Sequence, residues 1–119
     1  MEKDAAAFIS VLLHSGTIAH FQHFSTDSYA KHKALRKYYN QIIDLVDRWA
    51  ESYQGKYDQI KKFPSDFHGE REPVKYFEGL KEFVEESREH LPKDTELQNI
   101  IDEIAGLINS TLYKLRFLK

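Results

Sequence analysis

The chain has 119 residues, a formal net charge of −2 with both signs mixed, and no cysteine. That length fits one domain with a single core, small enough that oligomerisation would help to bury its apolar surface. Disulfides, thiolate metal sites and cysteine nucleophiles are excluded, and the charge balance gives no electrostatic reason to expect DNA, RNA or anionic lipid as a partner.

The opening residues MEKDAAAFISVLLHSG carry a short apolar run behind an acidic flank, which reads as the start of a helix rather than a signal peptide. No run reaches the length of a membrane span, so no membrane association and a cytoplasmic location are expected. A first helix is predicted from about Lys3 to Phe24, because Phe8, Ile9, Leu12, Leu13, Ile18, Ala19 and Phe21 recur at helical spacing. The cluster STDS (Ser25 to Ser28) supplies N-cap residues for a second helix, from about Ser28 to Gln54, with Gly55 just past its end. A polar connection, KYDQIKKFPSDFHGERE, follows. Pro73 suits the first position of a third helix, predicted from about Pro73 to Leu91 and stopping before Pro92. Asp94 or Thr95 caps a fourth, from about Thr95 to Leu118, with the stripe Leu97, Ile100, Ile101, Ile104, Leu107, Ile108, Leu112 and Leu115. Short connections within each pair and a long one between the pairs predict an all-α, ferritin-like four-helix bundle of two hairpins joined by a crossover.

Histidines and carboxylates supply the candidate chemistry. His20 stands a few residues before the first turn and His32 a few after it, so on antiparallel neighbours their imidazoles come to a similar height. Asp47 and Glu51 lie on the same predicted helix as His32, roughly 22 and 28 Å away at 1.5 Å per residue. The four residues cannot meet within one chain. They can meet across a two-fold axis near Asn40 and Gln41, where two copies of the second helix pack antiparallel and each dimer holds two identical sites. Helical phase allows this: Leu35, Tyr38, Ile42, Val46, Trp49 and Tyr53 form a core stripe, while His32, Arg36, Ile43, Asp47, Ala50 and Glu51 share one flank.

The intervals of twelve, fifteen and four residues through His20, His32, Asp47 and Glu51 resemble the ferroxidase signature of the Dps family of miniature ferritins. The run AHFQHFSTDSYAKHKAL is similar to that family's first helical junction. The resemblance implies that the two histidines of one subunit and the two carboxylates of its two-fold mate bind and oxidise Fe(II). It also implies iron, or another divalent metal, as the ion bound, and a homodimer at minimum with a larger cage beyond it. His23, one turn from His20, and Asp44, one turn before Asp47, are accessory ligand candidates.

The chain departs from the family pattern at several points. Phe21 and Ser25 stand where the family commonly has Trp and Gly, and MEKD replaces the basic tail with which some members hold DNA, so DNA binding is not expected. Arg36 stands where the family typically places an Asp that helps to hold a second iron, and a guanidinium repels a cation. The second half of the chain matches the family only as a bundle, and the long connection lacks an obvious short helix where the family packs one at the dimer interface.

Two alternatives follow. One is a metal- or anion-binding dimer without turnover, and the other a structural or partner-binding bundle. In the plainest form, Asp47 and Glu51 flank Arg48 on a solvated face, His14 and His23 serve at a surface or interface, and His68 and His90 lie at or near loops. No Glu-x-x-His pair, His-Glu-x-x-His motif, phosphate loop or Gly-x-Ser-x-Gly motif occurs.

Overall fold

The computed structural model describes residues 1–66 and 69–119; His68 lies outside them. Four α-helices and no strands are found among the described residues: α1 (Glu2–Ser25), α2 (Tyr29–Lys56), α3 (Pro73–Ser87) and α4 (Thr95–Phe117).

Local chemistry sets the starts of α2 and α3. Ser28 caps α2, its hydroxyl accepting from the Lys31 amide at 3.2 Å. Pro73 opens α3, and the Glu72 carboxylate accepts from the amides of Val74 and Lys75 at 3.1 and 2.7 Å. Two ends differ from expectation. α2 runs through Gly55, which has no positive φ, and the chain leaves the helix at Tyr57. α3 stops at Ser87, short of Leu91, because Arg88 turns onto α4, where it meets Gln98 and Asp102, while Leu91 and Pro92 tuck inward.

Contacts between elements give the topology. Phe8 meets Trp49 and His23 meets His32, so α1 and α2 are antiparallel. Phe8 also lies 6.4 Å from Phe83, while Gln22 Nε2 donates to the Glu70 carbonyl just before α3, so α1 and α3 are antiparallel too. Arg48 reaches Glu103 and Lys56 reaches Asp94, which sets α4 antiparallel to α2. The order is therefore up, down, down, up: α2 and α3 run the same way, and their connection must travel the length of the bundle. It does so along α1, with Phe63 and Pro64 beside Ile9, Leu13 and Thr17, and Gly69 against Ile18.

The predicted α2 core stripe is buried in full: Leu35, Tyr38, Ile42, Val46, Trp49 and Tyr53. α1 is buried over a wider arc, since α2, α3 and the crossover all pack on it. At mid-bundle, Ser15 Oγ and Tyr38 Oη share a 2.7 Å hydrogen bond, which satisfies two polar atoms inside an apolar core. Gly16 lies against α2, as a Cβ there would sit 3.3 Å from Ile42 Cγ2.

The end of α2 is tied to α4 by side chains. The Tyr57 hydroxyl donates to Asp94 Oδ1, and Lys56 Nζ lies 3.6 Å from Asp94 Oδ2. This hydrogen bond pushes the phenol up to about 12 and holds the carboxyl below its ordinary value. A raised phenol contributes stability that is complete below its ordinary value near 10.0 and is lost as the pH rises through about 12. The lowered carboxyl contributes above its ordinary value near 3.8, and that contribution is lost as the pH falls through the folded value. Tyr57→Phe is expected to flatten the fall in melting temperature between about pH 10 and 12. Burial raises Tyr38 and Tyr76 in both proteins, so thermal melts of the pair isolate Tyr57. Equal alkaline slopes would remove this bond's share.

Candidate functional site

The first turn decides which histidines meet. α1 ends at Ser25 and α2 begins at Tyr29, so residues at similar distances from the turn come together, and His23, two residues before that end, meets His32, three after that start. Their rings stack with centroids 3.6 Å apart and planes 20° from parallel. Each Nδ1 lies against the other residue's backbone carbonyl, at 2.7 Å for His23 and 2.9 Å for His32. A carbonyl only accepts, so each Nδ1 carries a proton and, in the neutral ring, each Nε2 keeps its lone pair. Ligating histidines are commonly oriented by such a bond. Stacked rings direct their lone pairs in nearly parallel planes, however, so in this arrangement His23 and His32 cannot share one ion.

His20 lies nearly one turn back along α1. Its exposed ring stacks on Tyr39 at 4.1 Å and on Phe24 at 4.9 Å, and stands 6.1 Å from His23. The expectation that His20 and His32 stand level thus resolves into a relay, His20 to His23 to His32, with His23 buried in the middle. Tyr39 and Phe24 were not among the expected site residues. The signal for Tyr39 was there, since it falls on the edge of the α2 stripe that faces α1.

Asp47 and Glu51 are exposed on α2, and among the described residues neither forms an ion pair. Arg48 lies between them in sequence but turns away to α4, where its two terminal nitrogens meet the Glu103 carboxylate at 3.2 and 3.1 Å. Two like charges one turn apart repel mildly, and a cation relieves that repulsion. Asp44 lines the groove between α2 and α4 with Lys37, Gln41 and Glu103, away from the Asp47 flank. Arg36 is exposed. Among the described residues of one chain, no group of three or more histidines and carboxylates is arranged to hold a metal. No described helix is long and apolar enough to cross a membrane.

A second feature lies on the opposite side of α1. A cleft of about 580 Å³ opens between α1 and α3, with Val11, Tyr76, Leu80 and Phe83 as its apolar walls and Gly79 on its α3 side.

Comparison with known proteins gives two similarities. The chain is 28% identical over 112 residues, 93% of its length and 87% of the relative's, to a protein of Enterobacteria phage T4 named "Uncharacterized 14.6 kDa protein in mobD-ri intergenic region". No solved structure matches. The family described as "Family of unknown function (DUF5856)" matches residues 23–115, a span that holds His23, His32, Asp47 and Glu51 and begins after His20. With more than half of its length inside that match, this chain belongs to DUF5856.

Proposed function

We propose that this chain is a ferritin-like, Dps-like iron-binding protein, acting as a ferroxidase at an intersubunit site. The observation that carries this reading is the arrangement of one surface. His20 and His32 stand at one end of the α1–α2 hairpin, and Asp47 and Glu51, without an ion pair among the described residues, stand toward the other end of α2. The up, down, down, up order with one long crossover supports it, being the connectivity that ferritin-like bundles share.

In the proposed dimer, two α2 helices pack antiparallel, bringing His20 and His32 of one copy to Asp47 and Glu51 of a second. Fe(II) is the substrate. Imidazole nitrogen suits the ferrous ion, and carboxylate oxygen stabilises the ferric ion as it forms. The His32 ring is held by its Nδ1 bond to the His23 carbonyl, which leaves Nε2 for the ion. With peroxide as oxidant, two ferrous ions give up one electron each, the O–O bond breaks, and two protons complete two waters. Because the site is shared between copies, metal affinity and dimerisation are coupled.

The test adds Fe(II) to metal-free protein, in air and then with peroxide, and follows ferric absorbance beside the Asp47→Asn/Glu51→Gln double variant. Expected is oxidation faster than in buffer, saturating near about two or four irons per dimer and lost in the variant. Rates equal to buffer overturn the ferroxidase. Arg36 favours a second reading, a dimer that keeps the face without turnover, since its exposed guanidinium lies on the flank of Asp47 and opposes a second ion. Iron bound without oxidation would select it.

A further inference from the structure

On the α4 side of α2, Arg48 pairs with Glu103 and Lys56 with Asp94, while Lys37 and Asp44 line the groove between the two helices without an ion pair among the described residues. On the outer flank, Arg36, Asp47 and Glu51 have no ion pair among the described residues, and Lys33 Nζ has only the Tyr29 ring, at 5.5 Å. All four charged groups are exposed, as are Asn40 and Ile43 between them. Advancing about 100° per residue, these six positions point within about 40° of one direction.

Their order along the helix is self-complementary. The basic residues Lys33 and Arg36 occupy the first half of the flank and the acidic Asp47 and Glu51 the second. Lys33 with Glu51, Arg36 with Asp47, and Asn40 with Ile43 are all centred on the step between Gln41 and Ile42 or within half a residue of it. A two-fold axis through that step sets each basic residue opposite an acidic one of a second copy. At the centre it sets Ile43, 48% exposed, beside its symmetry mate. A parallel pairing would set like charges together. The pattern therefore selects both a partner and an orientation.

We propose that the outer flank of α2 docks against a second copy of this chain, antiparallel, through Arg36–Asp47 and Lys33–Glu51 ion pairs formed twice around an Ile43 centre. The inference rests on the two-fold pairing of the reading above but not on its iron chemistry. It also gives Arg36 a role. The guanidinium holds Asp47 in the empty dimer, and an incoming cation has to displace it.

Sedimentation of the full chain, wild type and variant, tests this. The wild type is expected to be a dimer that weakens as salt rises from about 50 to 500 mM, over which screening shortens several-fold in range. Arg36→Glu and Asp47→Arg, each setting like charges opposite one another twice, are expected to raise the dimer Kd by about a hundredfold. The double variant Arg36→Glu/Asp47→Arg restores the charge match, and its Kd is expected to return to within about tenfold of the wild type. Lys33→Glu with Glu51→Lys provides a second exchange. Circular dichroism checks that each exposed variant keeps its helices. A monomeric wild type, single variants that dimerise normally, or no rescue in either exchange would overturn the proposal. Iron oxidation is read on the wild type alone: a dimer rescued by charge exchange but inert to iron overturns the ferroxidase and leaves this interface standing.

Discussion

Trp49→Ala is expected to lower stability by about 3–5 kcal/mol, the range for truncating a large buried aromatic. Trp49 is fully buried on α2, meets Phe8 of α1 edge-on at 4.9 Å and stacks on Tyr53 at 5.4 Å. Its loss opens a void against both neighbours near the end of α2. Trp49→Phe should behave differently. The indole Nε1–H is buried and finds no acceptor among the described atoms, and an unmet buried donor costs about 1–3 kcal/mol. Phenylalanine removes that donor and keeps most of the volume, so the expected loss is under about 1.5 kcal/mol. Urea titrations followed by circular dichroism compare the three proteins. Phe costing as much as Ala would mean that the indole N–H is satisfied after all.

Gly16→Leu is the second large effect, about 3 kcal/mol of destabilisation, from overpacking rather than from a void. Even the first added carbon meets Ile42 Cγ2 at 3.3 Å and Tyr39 Cβ at 4.0 Å, so a longer side chain must separate α1 from α2. That separation also pulls on the Ser15–Tyr38 hydrogen bond one residue away and on the His23–His32 stack further along. Gly16→Ala is expected to be nearly neutral, since the helix-propensity gain of about 1 kcal/mol offsets a contact that Ile42 can relieve by a few tenths of an ångström. Thermal and urea melts of both variants decide. A leucine variant as stable as the parent would show that the two helices have room to spare at this crossing.

Helices and their buried faces were legible because they depend on periodicity, which sequence displays directly. The α2 stripe from Leu35 to Tyr53, the Ser28 cap and the Pro73 start followed from residue type and spacing alone. The end of α3 did not, because it depends on Arg88 reaching Gln98 and Asp102 on another helix. Nor did the wide burial of α1, which reflects the crossover lying on it rather than a pattern in α1 itself. Among the site residues, spacing put His20 and His32 near the same turn, but the register within the hairpin was fixed by the turn between Ser25 and Tyr29. A difference of about one helical turn exchanged His20 for His23 as the partner of His32. The release of Asp47 and Glu51 from Arg48 was hidden for a similar reason, since α4 rather than α2 supplies the competing carboxylate.

The shared direction of α2 and α3 has a consequence for how the chain tolerates change in length. Each hairpin closes over a few residues, whereas joining the two hairpins closes the whole crossover between Lys56 and Pro73. Closure entropy grows only with the logarithm of loop length, about 0.6 kcal/mol per doubling. Inserted residues at the exposed Lys61–Lys62 step would therefore change equilibrium stability little. Docking of one hairpin on the other, a contact between residues far apart in sequence, would slow as the loop grew. The crossover is thus where chain length trades against folding rate, and the turns within each hairpin are where it cannot.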